Sequence, residues 1–165
     1  MTTSTAVARP NQKNVRLPHS LDLSILFKDF ILYWAGWRIN LDEDEPFLGP
    51  LPTKEWQVSL HGSVRGVLTF RTTDRLLKTL WEDQSFKGRD FPDAETTFRE
   101  MAALFTTHMV RTFWKGAFLG LNPLMARPLE TGKRPSSFQC HTYSRLSLNG
   151  EPLEIRFWSD PCSHS

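Results

Sequence analysis

The chain has 165 residues, long enough for one domain that buries a sizeable core. Hydrophobic residues make up 39% and charged residues 23%, the balance of an ordinary globular protein. With 20 Lys and Arg against 18 Asp and Glu, the formal charge is only +2, and the basic residues are scattered. That pattern argues against a nucleic-acid or anionic-membrane partner.

Residues 1–18 are rich in Thr, Ser and Asn and lack the apolar run of a secretory signal, so they are expected to be a disordered lead-in. An apolar helix follows. Ser20 is the expected N-cap, Asp22 suits the first turn, and Leu23, Phe27, Phe30, Ile31, Trp34 and Trp37 recur at helical spacing. Gly36 and Asn40 mark its end. Residues 42–52 are acidic with three prolines and read as an irregular connection or a short edge strand.

Residues 55–70 read as a hairpin. Trp56, Val58 and Leu60 alternate with Gln57, Ser59 and His61, and His61-Gly62-Ser63 supplies the turn. On the return strand Gly66, Leu68 and Phe70 share one face; a glycine inside a strand marks a bulge or a close backbone approach. A short helix capped by Thr72 or Thr73 carries Leu76, Leu77, Leu80 and Trp81, and residues 83–90 break its pattern. The longest helix spans about residues 92–114 with Asp90 as cap. Phe98, Met101, Ala102, Phe105, Met109 and Phe113 form its buried stripe, and Glu100, Ala103 and Thr107 line up on an outer one. Beyond Gly116 the chain reads as a Gly/Pro-punctuated connection. Two strands then follow over residues 136–148 and 153–158, joined by the Asn149-Gly150 turn signal, and residues 161–165 form a polar tail.

Three stretches together carry a family resemblance. Residues 21–36 form a leading helix ending in glycine; residues 58–70, VSLHGSVRGVLTF, contain a Gly-x-x-x-Gly hairpin followed by a helix over 74–81; residues 93–109 contain FREMAAL at 98–104. In order and spacing these resemble the CheX-like branch of the CheC, CheX and FliY chemotaxis group, over roughly residues 21–158. The resemblance implies an α+β fold, with an antiparallel or mixed sheet packed against long helices, in one domain over residues 19–160. It also implies dimerisation through open sheet edges. The family removes phosphate from the aspartyl phosphate of the receiver CheY, using a Glu-x-x-Asn motif on the long helix. There the glutamate pairs with a receiver lysine while the asparagine amide positions the attacking water. Such a water must be held in line with phosphorus, which an amide does by accepting and donating at once.

Carried over residue by residue, Glu100 matches the glutamate and Ala103 stands where the asparagine belongs. A methyl group cannot hydrogen-bond water. The receiver-binding face implied by the resemblance comprises Thr96, Ala103 and Thr107 beside Glu100. Only one motif is present, as in CheX and unlike the paired motifs of CheC. The expectation is a signalling domain that binds a phosphorylated CheY-type response regulator, with phosphatase activity weak or lost. The alternative is an interaction or scaffold module that kept the fold without the receiver. A phosphohydrolase acting on small molecules ranks third, since no nucleophile constellation is visible.

Other residues read as structural. Cys140 and Cys162 have no CxxC or Cys/His spacing, which suits a reduced, cytoplasmic protein. His61, Cys140 and His141 do not form a ligand set by spacing, so neither a metal nor another cofactor is expected. His108 is expected at the border of the apolar stripe and solvent. The Trp34/Trp37 and Phe113/Trp114 clusters read as core or dimer interface. Gly62-x-x-x-Gly66 lacks the Lys-Ser/Thr ending and following helix of a phosphate loop. No segment approaches the roughly 20 apolar residues that span a bilayer.

Overall fold

A computed structural model describes residues 18–41, 49–62, 65–114, 119–121, 125–128 and 139–159. In chain order these form α1 (Ser20–Ala35), β1 (Lys54–Gly62), β2 (Gly66–Thr72), α2 (Asp74–Phe86), α3 (Ala94–Phe113), β3 (Leu119–Leu121), β4 (Met125–Pro128), β5 (Gln139–Leu148) and β6 (Glu151–Ser159). The sheet runs β3-β1-β2-β6-β5, with β4 also on β1, and every pairing is antiparallel. The fold is α+β as expected, and the sheet is antiparallel throughout the described residues.

The alternation in β1 and β2 separates the two faces of this sheet. Trp56, Val58, Leu60, Leu68 and Phe70 point to the helices, and their rungs continue into Ile155 and Phe157 of β6. On the opposite face one rung crosses four strands with alternating charge: Glu55, Arg71, Glu154, Arg145. Arg71 Nε bonds Glu55 Oε1 at 2.9 Å, and Trp158 Nε1 donates to Thr69 Oγ1 at 3.0 Å. Cross-strand pairs of this kind fix the register.

The core lies between the sheet and the helices, and its centre is aromatic. Phe105 of α3 meets Phe27 and Phe30 of α1 at 5.1 and 5.5 Å and Phe70 of β2 at 6.1 Å between ring centroids. Phe98, two turns earlier, meets Trp56 at 4.6 Å. Tilted and edge-on ring pairs add to the roughly 1.5–3 kcal/mol that each fully buried side chain contributes. α3 therefore lies between α1 and α2 and packs on both, with one side sealed on the sheet.

Several boundaries differ from the sequence expectation. The N-cap of α1 is His19, whose N–H donates to Asp22; Ser20 is the first helical residue, and its hydroxyl accepts from the Tyr143 N–H on β5. Pro18, counted in the lead-in, is buried, and its carbonyl accepts from Thr142 Oγ1. Gly36 ends α1 in the left-handed conformation, as expected. Gly62 is still within β1, paired with Leu119, so the hairpin turn begins later; Ser63 and Val64 lie outside the described residues. Gly66 is a close-approach glycine, because a Cβ there would collide with the Trp158 carbonyl oxygen.

Thr73 caps α2, and the helix runs on to Phe86 because Gln84 is buried and continues the Leu76-Leu77-Leu80 face. α3 is capped by Asp93 and not Asp90: its carboxylate accepts from the Thr96 N–H at 2.6 Å. Phe113 is only half-buried at the end of the stripe. The connection after Gly116 contains two short strands, β3 and β4, that complete the outer edge of β1. Asn149 (φ 52°) and Gly150 (φ 82°) form the expected tight turn between β5 and β6, where both residues need positive φ. The expected lead-in over residues 1–17, most of the acidic connection (42–48) and the polar tail lie outside the described residues.

Candidate functional site: the outward face of the central helix

α3 is fixed at its start by charge and at its middle by packing. Asp93 closes the first turn, and the Thr96 N–H bond, backed by Arg99 nearby, holds the Asp93 carboxyl below the usual carboxylate range. Lys54, at the head of β1, bonds Asp74 at 2.9 Å and Glu95 at 3.2 Å, so one ammonium ties together the starts of α2 and α3. Phe98, Met101, Ala102, Phe105 and Met109 are buried and set the rotation of the helix about its axis. With that face sealed, the opposite face is committed outward.

That outward face carries Thr96, Glu100, Ala103 and Thr107, spaced four, three and four residues apart on one line of the helix. Glu100 is exposed, while Thr96, Ala103 and Thr107 are half-buried. The four residues expected together from the sequence therefore share one stripe. Glu100 has no ion pair or hydrogen bond to another described side chain, in contrast to Glu55, Asp83 and Glu95. Two threonines are turned inward on their own helix: Thr106 Oγ1 donates to the Ala102 carbonyl at 2.7 Å and Thr107 Oγ1 to the Ala103 carbonyl at 3.0 Å. Thr106 is also buried. The stripe thus offers one free carboxylate and a methyl group, with no side chain whose donor and acceptor are both available beside Ala103.

The flanks add features that the sequence reading did not single out. Leu104 is 41% exposed and Tyr33 on α1 is 90% exposed, both off the apolar stripes of their helices. Their signal was present: neither fits the Phe27-Phe30-Ile31-Trp34 or Phe98-Phe105-Met109 periodicity, yet both are large and apolar. His108 is exposed at the border with α1, its ring 6.3 Å from that of Phe30. Trp34 is buried, stacked on Phe30 and covered by the Arg89 guanidinium at 4.9 Å. Trp114 packs on Phe157 at 5.4 Å, so both tryptophans are core residues. Of the asparagines that could supply an amide in place of Ala103, Asn40 is exposed past the end of α1, Asn149 belongs to the β5–β6 turn, and Asn122 lies outside the described residues.

By sequence, no protein-family model and no curated protein matches the chain. By structure, CheX from Desulfovibrio desulfuricans is 10% identical and superposes with a TM-score of 0.60 over 84% of this chain and 96% of its own. The fold is CheX-like. The chemotaxis protein CheX from Vibrio vulnificus, 12% identical, gives a TM-score of 0.58 over 93% of this chain and 99% of its own. A chain of the CheX–CheY–BeF3–Mg2+ complex from Borrelia burgdorferi, 17% identical, gives 0.55 over 87% and 98%. At these identities the likeness is one of fold. Within this CheX-like fold no described helix is long and apolar enough to cross a membrane. Among the described residues no three His, Cys, Asp or Glu side chains come together as a metal site would require.

Proposed function

We propose that the chain is a signalling module that docks the outward stripe of α3 on a phosphorylated CheY-type receiver domain, with its aspartyl-phosphate phosphatase activity weak or lost. The observation that supports this most is Glu100, a carboxylate without a described partner on the exposed line of the central helix in a CheX-like fold. A lone exposed glutamate is ordinary on a helix surface. What singles this one out is its place three residues before Ala103, the spacing of the Glu-x-x-Asn motif. In the proposed complex Glu100 pairs with a receiver lysine, a charge-assisted contact contributing about 1.5–3 kcal/mol where it is desolvated. Thr96, Ala103 and Thr107 form the surface around it, and Ala103 occupies the place from which an amide would orient water.

A cytoplasmic location and a role in chemotaxis or a related two-component pathway belong to the same proposal. So does a homodimer through sheet edges, for which β5 supplies the long edge strand. On β5 the stretch 142–144 is already held by Pro18 and Ser20, so pairing would use the rest of the strand.

The test is a binding titration against a purified CheY-type receiver with and without beryllofluoride, which mimics the phosphoryl group. Binding that strengthens with beryllofluoride and weakens in Glu100→Ala supports receiver docking. Absence of binding in both forms leaves the scaffold reading.

A further inference from the structure

We infer that, given the receiver docking proposed above, the complex shields the receiver's aspartyl phosphate from hydrolysis instead of hastening it. Hydrolysis of an acyl phosphate needs one water in line with the bond that breaks. The water oxygen bonds to phosphorus as the bond to the aspartyl oxygen breaks. The electron pair leaves on the aspartate carboxylate, and the water's protons pass to the released phosphate and to solvent. A surface closing over that line does one of two things to the reaction. It holds and aligns the water, or it takes the water's place.

α3 carries the features of the second kind. Ala103 puts a half-buried methyl at the centre of the stripe. The hydroxyl proton of Thr107 is already donated to the Ala103 carbonyl. Leu104, next along the helix and 41% exposed, adds a second apolar side chain beside that methyl. A water displaced by these groups finds no replacement for its hydrogen bonds, and none of them fixes one in an attacking position. Glu100 provides affinity at one end of the stripe without providing a water site at Ala103. Recognition and catalysis are thus separated on one helix, and what remains is a cover over the phosphoryl group.

Protection is read directly from the lifetime of the phosphorylated receiver. The receiver is phosphorylated with a small-molecule phosphodonor, the donor is removed, and decay is followed at increasing concentrations of the full chain. If bound receiver is protected, decay is confined to the free fraction; at free protein about ten times the Kd, the rate falls about tenfold. Ala103→Asn removes the protection and shortens the lifetime below that of the receiver alone, and Leu104→Ser, which admits water beside the methyl, gives partial protection. Circular dichroism and beryllofluoride-receiver affinity establish that each variant is folded and docks. A receiver that binds but decays at an unchanged or faster rate overturns the shielding and leaves the docking proposal standing. A beryllofluoride-activated receiver that does not bind at all overturns the docking proposal itself.

Discussion

Thr107 Oγ1 donates a 3.0 Å hydrogen bond to the carbonyl oxygen of Ala103, one turn back on α3. The Thr107 hydroxyl, one turn beyond the position that the proposed function assigns to a water-orienting amide, is therefore turned into the helix. Its donor is spent on a carbonyl that already accepts the helical N–H.

Replacing the methyl with an amide should supply what this pairing withholds. Ala103→Asn is expected to raise phosphate release from a phosphorylated receiver by roughly tenfold or more, since aligning one water contributes several kcal/mol in favourable cases. Position 103 is half-buried on the outward side of α3, so the substitution fits without opening the core. Single-turnover phosphate release for wild type and variant checks this, and equal rates would mean that position 103 does not face the reacting bond.

Glu100 is exposed and touches no described partner, so removing its charge should hardly change stability. Glu100→Gln is expected to shift unfolding free energy by less than about 0.5 kcal/mol. Its affinity for the activated receiver should nevertheless fall about tenfold, the loss of one charge-assisted bond. Isothermal titration at two salt concentrations separates the effects, because an ion pair at the interface makes wild-type affinity more salt-sensitive than that of the variant.

Gly66 is a stability test independent of function. Its φ is not positive; space is what demands glycine, because a Cβ would collide with the Trp158 carbonyl and crowd the Phe157 ring at 3.3 Å. The obstacle is backbone of β6 and cannot rotate away. Gly66→Ala should therefore cost roughly 2 kcal/mol or more in urea unfolding, at the upper end for a single added methyl.

Asp93 links stability to pH. The Thr96 N–H stabilises its ionised form and lowers its folded-state pKa below the unfolded value. The cap therefore contributes fully above the unfolded value near 3.9 and is lost as pH falls through the lower folded value. Asp93→Asn keeps an acceptor for the N-cap and removes the titration. Thermal melts from pH 6 to pH 2 should show wild type losing its advantage over the variant only at the acid end. A constant difference would mean that the Thr96 bond does not favour the ionised carboxylate.

The sequence was most legible where one local rule acted alone. Asn149-Gly150 required a tight turn because both positions take positive φ, and Trp56-Val58-Leu60 alternated because one face of β1 is buried. Caps were less legible. Ser20, Asp90 and Asp93 are all suitable capping types, and only the path of the preceding chain decides among such neighbours. Short strands were not legible at all: Leu119–Leu121 and Met125–Pro128 form because β1 has a free edge, which is a tertiary fact. In the candidate site, the shared line of Glu100, Ala103 and Thr107 followed from helical spacing, and Thr96 was added to it only by the family resemblance. The inward turn of Thr106 and Thr107 did not follow from spacing, since it depends on side-chain rotamers chosen against the helix backbone.

The Ser20 hydroxyl on the Tyr143 N–H has a consequence for handling the molecule. β5 is an edge strand of ten residues without proline or glycine, the kind of edge that recruits further strands. Pro18, Ser20 and Ser24 bond to Thr142, Tyr143 and Ser144 and occupy part of it. A protease cut or a deletion that frees residues 18–20 from β5 would expose a template for fibril growth while leaving the aromatic core untouched. Material trimmed in this way would be lost to aggregation before it was lost to unfolding.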